Sequence, residues 1–134
     1  MELSKKLTLR ETQSEFIQDL AKLITWAFAN GYQLTGGELY RTKNQQYLYY
    51  FGFDLIYNKV LSLAKGIRRS KTMKSKHLDR LAQDLNLFIN VNGKWKLTYK
   101  KEEFKPLGEY WESLNDKNIW GGRFNDTDHF QRNR

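Results

Sequence analysis

The stretch that most constrains this chain is Asn92-Gly93, set between two runs of alternating residues. Asn and Gly both tolerate the left-handed backbone that a two-residue hairpin turn demands. Upstream, Leu85, Leu87, Ile89 and Val91 alternate as in a strand, with Asp84 and Asn86 on the opposite face. Downstream, Lys94-Trp95-Lys96-Leu97-Thr98 is the natural returning strand. The pattern predicts a hairpin over about 84–99. The segment just before it, His77 to Asp84, is ambiguous, because Leu78, Leu81, Ala82 and Leu85 also fit helical spacing.

Around that hairpin the chain alternates helical and extended patterns. Thr12-Gln13-Ser14-Glu15 has the form of a capping box, and Phe16, Leu20, Leu23, Ala27 and Phe28 recur at helical spacing up to Gly31. A helix over 13–30 follows, its apolar stripe facing the core. Tyr32 to Thr35 and Glu38 to Thr42 read as extended pieces separated by Gly36-Gly37. From Asn44 to Lys65 the chain is rich in Tyr, Phe, Leu and Val, a pattern that serves a helix capped by Asn44. Lys65 to Lys76 is a basic stretch without apolar period, read as an exposed loop. A second helix is predicted over 102–115, with Pro106 in its first turn. The sum is an α+β fold: a small antiparallel sheet packed by helices. A chain of 134 residues suits one domain, 1–134, in which 1–11 form a flexible lead-in and the protein is a monomer.

Composition narrows the chemistry. There is no cysteine, so disulfides and thiolate metal sites are excluded, and any zinc must be held by His, Asp or Glu. The net charge of +8 favours anionic partners, whether nucleic acid, acidic lipid or an anionic cell-wall polymer, without choosing among them. No apolar run approaches the roughly 20 residues that span a bilayer. Met1-Glu2-Leu3-Ser4-Lys5-Lys6 lacks the apolar stretch of a secretory signal, which predicts synthesis in the cytoplasm.

Only two histidines are present, and each has a carboxylate nearby: Asp84 seven residues after His77, and Asp126 three before His129. Histidine nitrogen and aspartate oxygen both suit zinc, and a hydrolytic site needs three such ligands plus a base. Spacing alone does not make this a metal site, since histidines near aspartates are common in basic domains.

Ser75-x-His77 followed by Ala82-x-Asp84-Leu85 resembles the S-x-H…A-x-D signature of the M15 metallopeptidases, which cut peptidoglycan stem peptides. Trp120-Gly121-Gly122-Arg123-Phe124 and Asp126-x-x-His129-Phe130 resemble the C-terminal block of phage endolysin members. Tyr40-Arg41-Thr42 with Gln45-Gln46 resembles the upstream substrate-binding segment. The resemblance implies His77, Asp84 and His129 as ligands of a Zn2+ cofactor and Asp126 as general acid/base. It also implies Arg41 as a substrate or oxyanion contact, with Gln46, Ser75 and Trp120 as further substrate-side residues. It further implies a peptidoglycan stem peptide as substrate, an anionic envelope met through basic charge, and no nucleic acid. Action would follow in the periplasm or cell wall after holin-type or other signal-independent release. The chain departs from the family where Arg80-Leu81 stands in place of Gly-Arg, and Tyr47 to Leu63 does not align. Competing readings are a basic nucleic-acid-binding domain and an inactive structural member of the same fold.

Overall fold

The computed structural model describes residues 5–134. In chain order its elements are α1 (Leu9–Ala29), β1 (Gln33–Gly36), α2 (Lys43–Phe51), β2 (Phe53–Tyr57) and β3 (Leu61–Lys65). After a 3₁₀ helix (Lys76–Asp79) come β4 (Ala82–Val91), β5 (Lys94–Thr98), α3 (Lys101–Leu114) and β6 (Asn118–Trp120). A second 3₁₀ helix (Gly121–Phe124) and β7 (His129–Arg132) close the chain. The class is α+β, as expected.

The predicted hairpin is the spine of the sheet. Asn92 and Gly93 both take positive φ (53° and 81°), which lets Val91 pair with Lys94 across the turn. β4 is long enough to serve three antiparallel neighbours. Its first half, Ala82 to Asp84, pairs with β7; its second half pairs with β5; and β1 lies along the middle, Leu34 opposite Leu87. β6 completes the sheet beyond β7. The alternation then fixes what is buried: Leu85 and Leu87 enter the core with Phe16, Leu23, Phe104, Leu107, Trp111 and Phe130. Each large side chain so buried stabilises the fold by about 1.5–3 kcal/mol. Trp111 is the centre, edge-on to Phe16 at 5.6 Å and to Phe130 at 6.1 Å.

Five local expectations need correction. The first helix starts one turn early: Thr8 and Glu11 form the capping box, while Thr12 is buried inside α1 and Glu15 instead pairs with Arg132 at 2.9 Å. Both Thr-x-x-Glu pairs fit the pattern, and the tertiary partner of Glu15 decides between them. Of the lead-in expected over 1–11, residues 1–4 lie outside the described residues, and Leu9 is already helical. The stretch from Asn44 to Lys65 is not one helix. α2 is capped by Thr42, not Asn44, and stops at Gly52 (φ 75°), after which β-prone residues form the separate β2–β3 hairpin. Pro106 sits in the second turn of α3, beyond the residues whose N–H groups are free. Glu38 to Thr42 forms no strand but a loop that hydrogen-bonds across to the start of β4, with Asp84 N–H donating to Glu38 C=O at 2.9 Å.

Candidate metal centre and cleft

The register of β4 against β7 places Asp84 directly opposite His129. Asp84 points away from its core-facing neighbour Leu85, so its carboxylate emerges on the cleft side of the sheet. His77 comes from the 3₁₀ helix just upstream. The Ser75 hydroxyl caps that helix by accepting His77 N–H at 3.3 Å, and Arg80, at φ 54°, turns the chain into β4. The three side chains converge: His77 Nε2 lies 3.3 Å and His129 Nδ1 3.2 Å from the same Asp84 Oδ1. One ligand atom from each falls within 4.8 Å of the others.

The partners of the outer ring nitrogens fix which inner ones are free. His77 Nδ1 faces the Leu39 carbonyl at 2.9 Å and must donate to it, leaving the Nε2 lone pair toward Asp84. His129 Nε2 faces Gln131 Oε1 at 2.8 Å, and Gln131 is itself oriented by donating to Asn133 at 2.8 Å. Its Nδ1 is therefore also turned to Asp84. Two imidazole nitrogens around one carboxylate oxygen, each held from behind, is the donor set and outer support that zinc requires. Without an ion, a proton takes that place. Burial lowers the His129 pKa, but hydrogen bonds to Asp84 and Gln131 and the nearby carboxylates outweigh it and raise the value. Burial pushes Asp84 up, yet the two histidines hold it down at about 2.

Asp126 lies beside this centre, its Oδ2 3.8 Å from His129 Nδ1 and its side chain 52% exposed. The loop carrying it is closed by Asp126 N–H to Gly121 C=O at 2.8 Å and His129 N–H to Asp126 C=O at 3.1 Å. Only glycine fits at 121, because a Cβ there would lie 2.2 Å from the Asp126 carbonyl oxygen. Asp128 is a group the sequence did not single out. Burial, the charge of Asp84 and a hydrogen bond shared with Asp126 push its carboxyl up to about 7.

Arg41 reaches the cleft wall through Glu38 (2.5 Å), Gln46 Oε1 (2.6 Å) and Ser75 Oγ (3.4 Å). Glu38, unnoticed in the sequence, thus links Arg41 to His77, whose Nδ1 is 3.8 Å away. Gln46 is fully buried and also donates to Ser70 and the Thr72 carbonyl, so it positions Arg41 and the basic loop rather than meeting substrate. Trp120 is not on the cleft either. It is 4% exposed, packs in the core and donates Nε1–H to the Thr127 carbonyl at 2.7 Å. The cleft measures about 620 Å³, and Arg69, Lys71 and Lys74 line it together with Asp126 and Asp128.

Residues 68–132 match the M15 peptidase family model described as D-alanyl-D-alanine carboxypeptidase. That span contains His77, Asp84, Asp126 and His129. Over that span the chain is similar to the M15 peptidases. Among the solved structures, the L-Ala D-Glu endopeptidase ChiX of Serratia marcescens matches with a TM-score of 0.57 and 17% identity, over 98% of this chain and 91% of that one. The likeness is one of fold. No curated protein sequence matches. Arg41, Gln46 and the β2–β3 hairpin lie outside the matched span.

Proposed function

We propose that this chain is an M15-type zinc peptidase of the peptidoglycan stem peptide, of the endolysin kind. The observation that carries it is the convergence of His77, Asp84 and His129, with both ring nitrogens turned inward by Leu39 and Gln131. Zinc bound there would supply a Lewis acid and lower the pKa of water. The chain's own residues do the rest. Asp126 takes the proton of the water that adds to the scissile carbonyl and returns it to the amine as the C–N bond breaks. Asp128, hydrogen-bonded to it, keeps a proton at the cleft near neutral pH. Arg41 sets a permanent positive charge by the developing oxyanion or a substrate carboxylate. The basic rim suits a peptide rich in carboxylates and an anionic envelope.

The test is bound zinc together with fragments released from purified peptidoglycan, for the wild type, His129→Ala and Asp126→Ala. The wild type is expected to hold zinc near one equivalent and release stem-peptide fragments. His129→Ala loses the zinc; Asp126→Ala keeps it without turnover. Mass spectrometry of the fragments assigns the bond, because L-Ala–D-Glu cleavage exposes a D-Glu amine whereas D-Ala–D-Ala cleavage frees alanine. Full release by both variants would overturn the proposal.

A further inference from the structure

The β2–β3 hairpin forms a sheet of its own. Its register sets Leu55 opposite Leu63 and Tyr57 opposite Leu61. Directly paired residues share a face, so these four form one apolar surface, while Asp54 with Ala64 and Ile56 with Ser62 form the other. The apolar face is open, and exposure rises toward the turn. It is 54% at Leu55, 60% at Leu63, 65% at Leu61, 70% at Val60 and 78% at Tyr57. A two-stranded hairpin is marginal in water by itself, and a contiguous apolar face of this kind marks an interaction site.

Charge tells what covers it. Residues 43–76 hold eight Lys and Arg side chains against one carboxylate, Asp54, so this segment carries +7 of the chain's net +8. Asp54 is itself paired with Arg69 at 2.6 Å. A second copy on the same face would set +7 against +7. A glycan would need several convergent hydrogen-bonding side chains on this face, and beside Leu55, Val60, Leu61 and Leu63 it offers only the Tyr57 hydroxyl. The occupant has to be apolar and anionic together.

We infer that the β2–β3 hairpin docks the protein onto an anionic lipid surface. Two strands with open edges cannot enter hydrocarbon, so the hairpin lies along the interface. Its leucines face the acyl boundary, Tyr57 sits at headgroup level, and Lys59 and Lys65 meet lipid phosphates. The loop after β3 lines the cleft with Arg69 and Lys71, so docking would hold the cleft against the membrane face.

Cosedimentation of the full chain with phosphatidylcholine vesicles, with and without phosphatidylglycerol, tests this. Binding is expected only with the anionic lipid. It should fall about tenfold or more in Tyr57→Asn/Leu61→Asn. Lys59→Asn, which suits the left-handed backbone there (φ 63°), should cost about fivefold. Circular dichroism and zinc content matching the wild type show that the core is intact, since none of these residues belongs to it. Three results would overturn the inference: no binding of the wild type to anionic vesicles, undiminished binding by the double variant, or a dimer in sedimentation that the double variant dissolves without any vesicle binding.

Discussion

Gln131 decides which nitrogen of His129 is free. Its amide oxygen accepts a hydrogen bond from Nε2–H at 2.8 Å, and Asn133 keeps that amide from turning over. Gln131→Ala leaves the imidazole free to present either nitrogen, so zinc affinity is expected to drop about 10–100-fold with little loss of stability. Competition with a chromophoric chelator measures it, and unchanged affinity would refute the role. The acidic pair beside the centre gives a second expectation. In folded, metal-depleted protein Asp128 ionises near 7 rather than at the ordinary 3.8, so between those values the native state binds more protons than the unfolded chain. Stability is full below that window and declines as pH rises through it. The raised His129 acts with the same sign at higher pH. Thermal unfolding of metal-depleted protein should therefore occur a few degrees lower at pH 8 than at pH 5, by linkage. Asp128→Asn should narrow the gap. The sequence made His77, Asp84, His129 and Asp126 legible through resemblance. Glu38 and the Leu39 carbonyl were not, because they meet His77 across a loop crossing that no local pattern encodes, and Gln131 was not, because its place two residues after His129 supports the ring only once β7 is a strand.

Between elements, Trp120 is the joint that connects α3, β6 and the acidic loop. Its indole is flanked by Gly108 and Gly122: a Cβ on either would lie 2.2 Å from a ring atom. Its Nε1–H holds the Thr127 carbonyl at 2.7 Å, one residue from Asp126. Glu112 supports the same joint from α3, accepting Trp120 N–H at 3.2 Å and the Arg123 guanidinium at 2.9 Å. Gly108→Ala forces the ring aside and is expected to cost about 1–3 kcal/mol. Urea denaturation reads the loss, and a variant as stable as the wild type would show the joint to be slack. The family resemblance put Trp120 among the substrate-side residues, whereas it packs in the core. Its packing partner is Gly108, a residue defined by a missing side chain, and periodicity cannot signal that. The Asn92-Gly93 hairpin, by contrast, was fully legible, since turn chemistry and alternation agree there. Residues 44–65 misled because aromatic and aliphatic residues serve either period, and only the left-handed Gly52 separates helix from hairpin.

Across the whole molecule, the first helix and the last strand are fastened by a buried charge. Arg132 is 2% exposed and binds Glu15 at 2.9 Å, Asp19, and the Asn118 side-chain oxygen, while Asn118 donates to Asp19 at 3.1 Å. Asp19 and Arg132 are 113 residues apart, so this network closes the chain end to end. Breaking such a pair from one side strands the other charge, whereas replacing both with apolar groups can be nearly neutral. Arg132→Met is therefore expected to cost about 3–5 kcal/mol. Arg132→Met/Asp19→Leu should recover much of that, though not all, because Asn118 then loses an acceptor and a donor. The consequence reaches the site, for β7 carries His129 three residues before Arg132 and holds it in register with Asp84. Urea unfolding and zinc titration on the same variants should move together: Arg132→Met weakens both, and the double variant restores both in part. Zinc affinity unaffected by Arg132→Met would mean that the β4–β7 pairing alone holds the centre, independent of the clasp behind it.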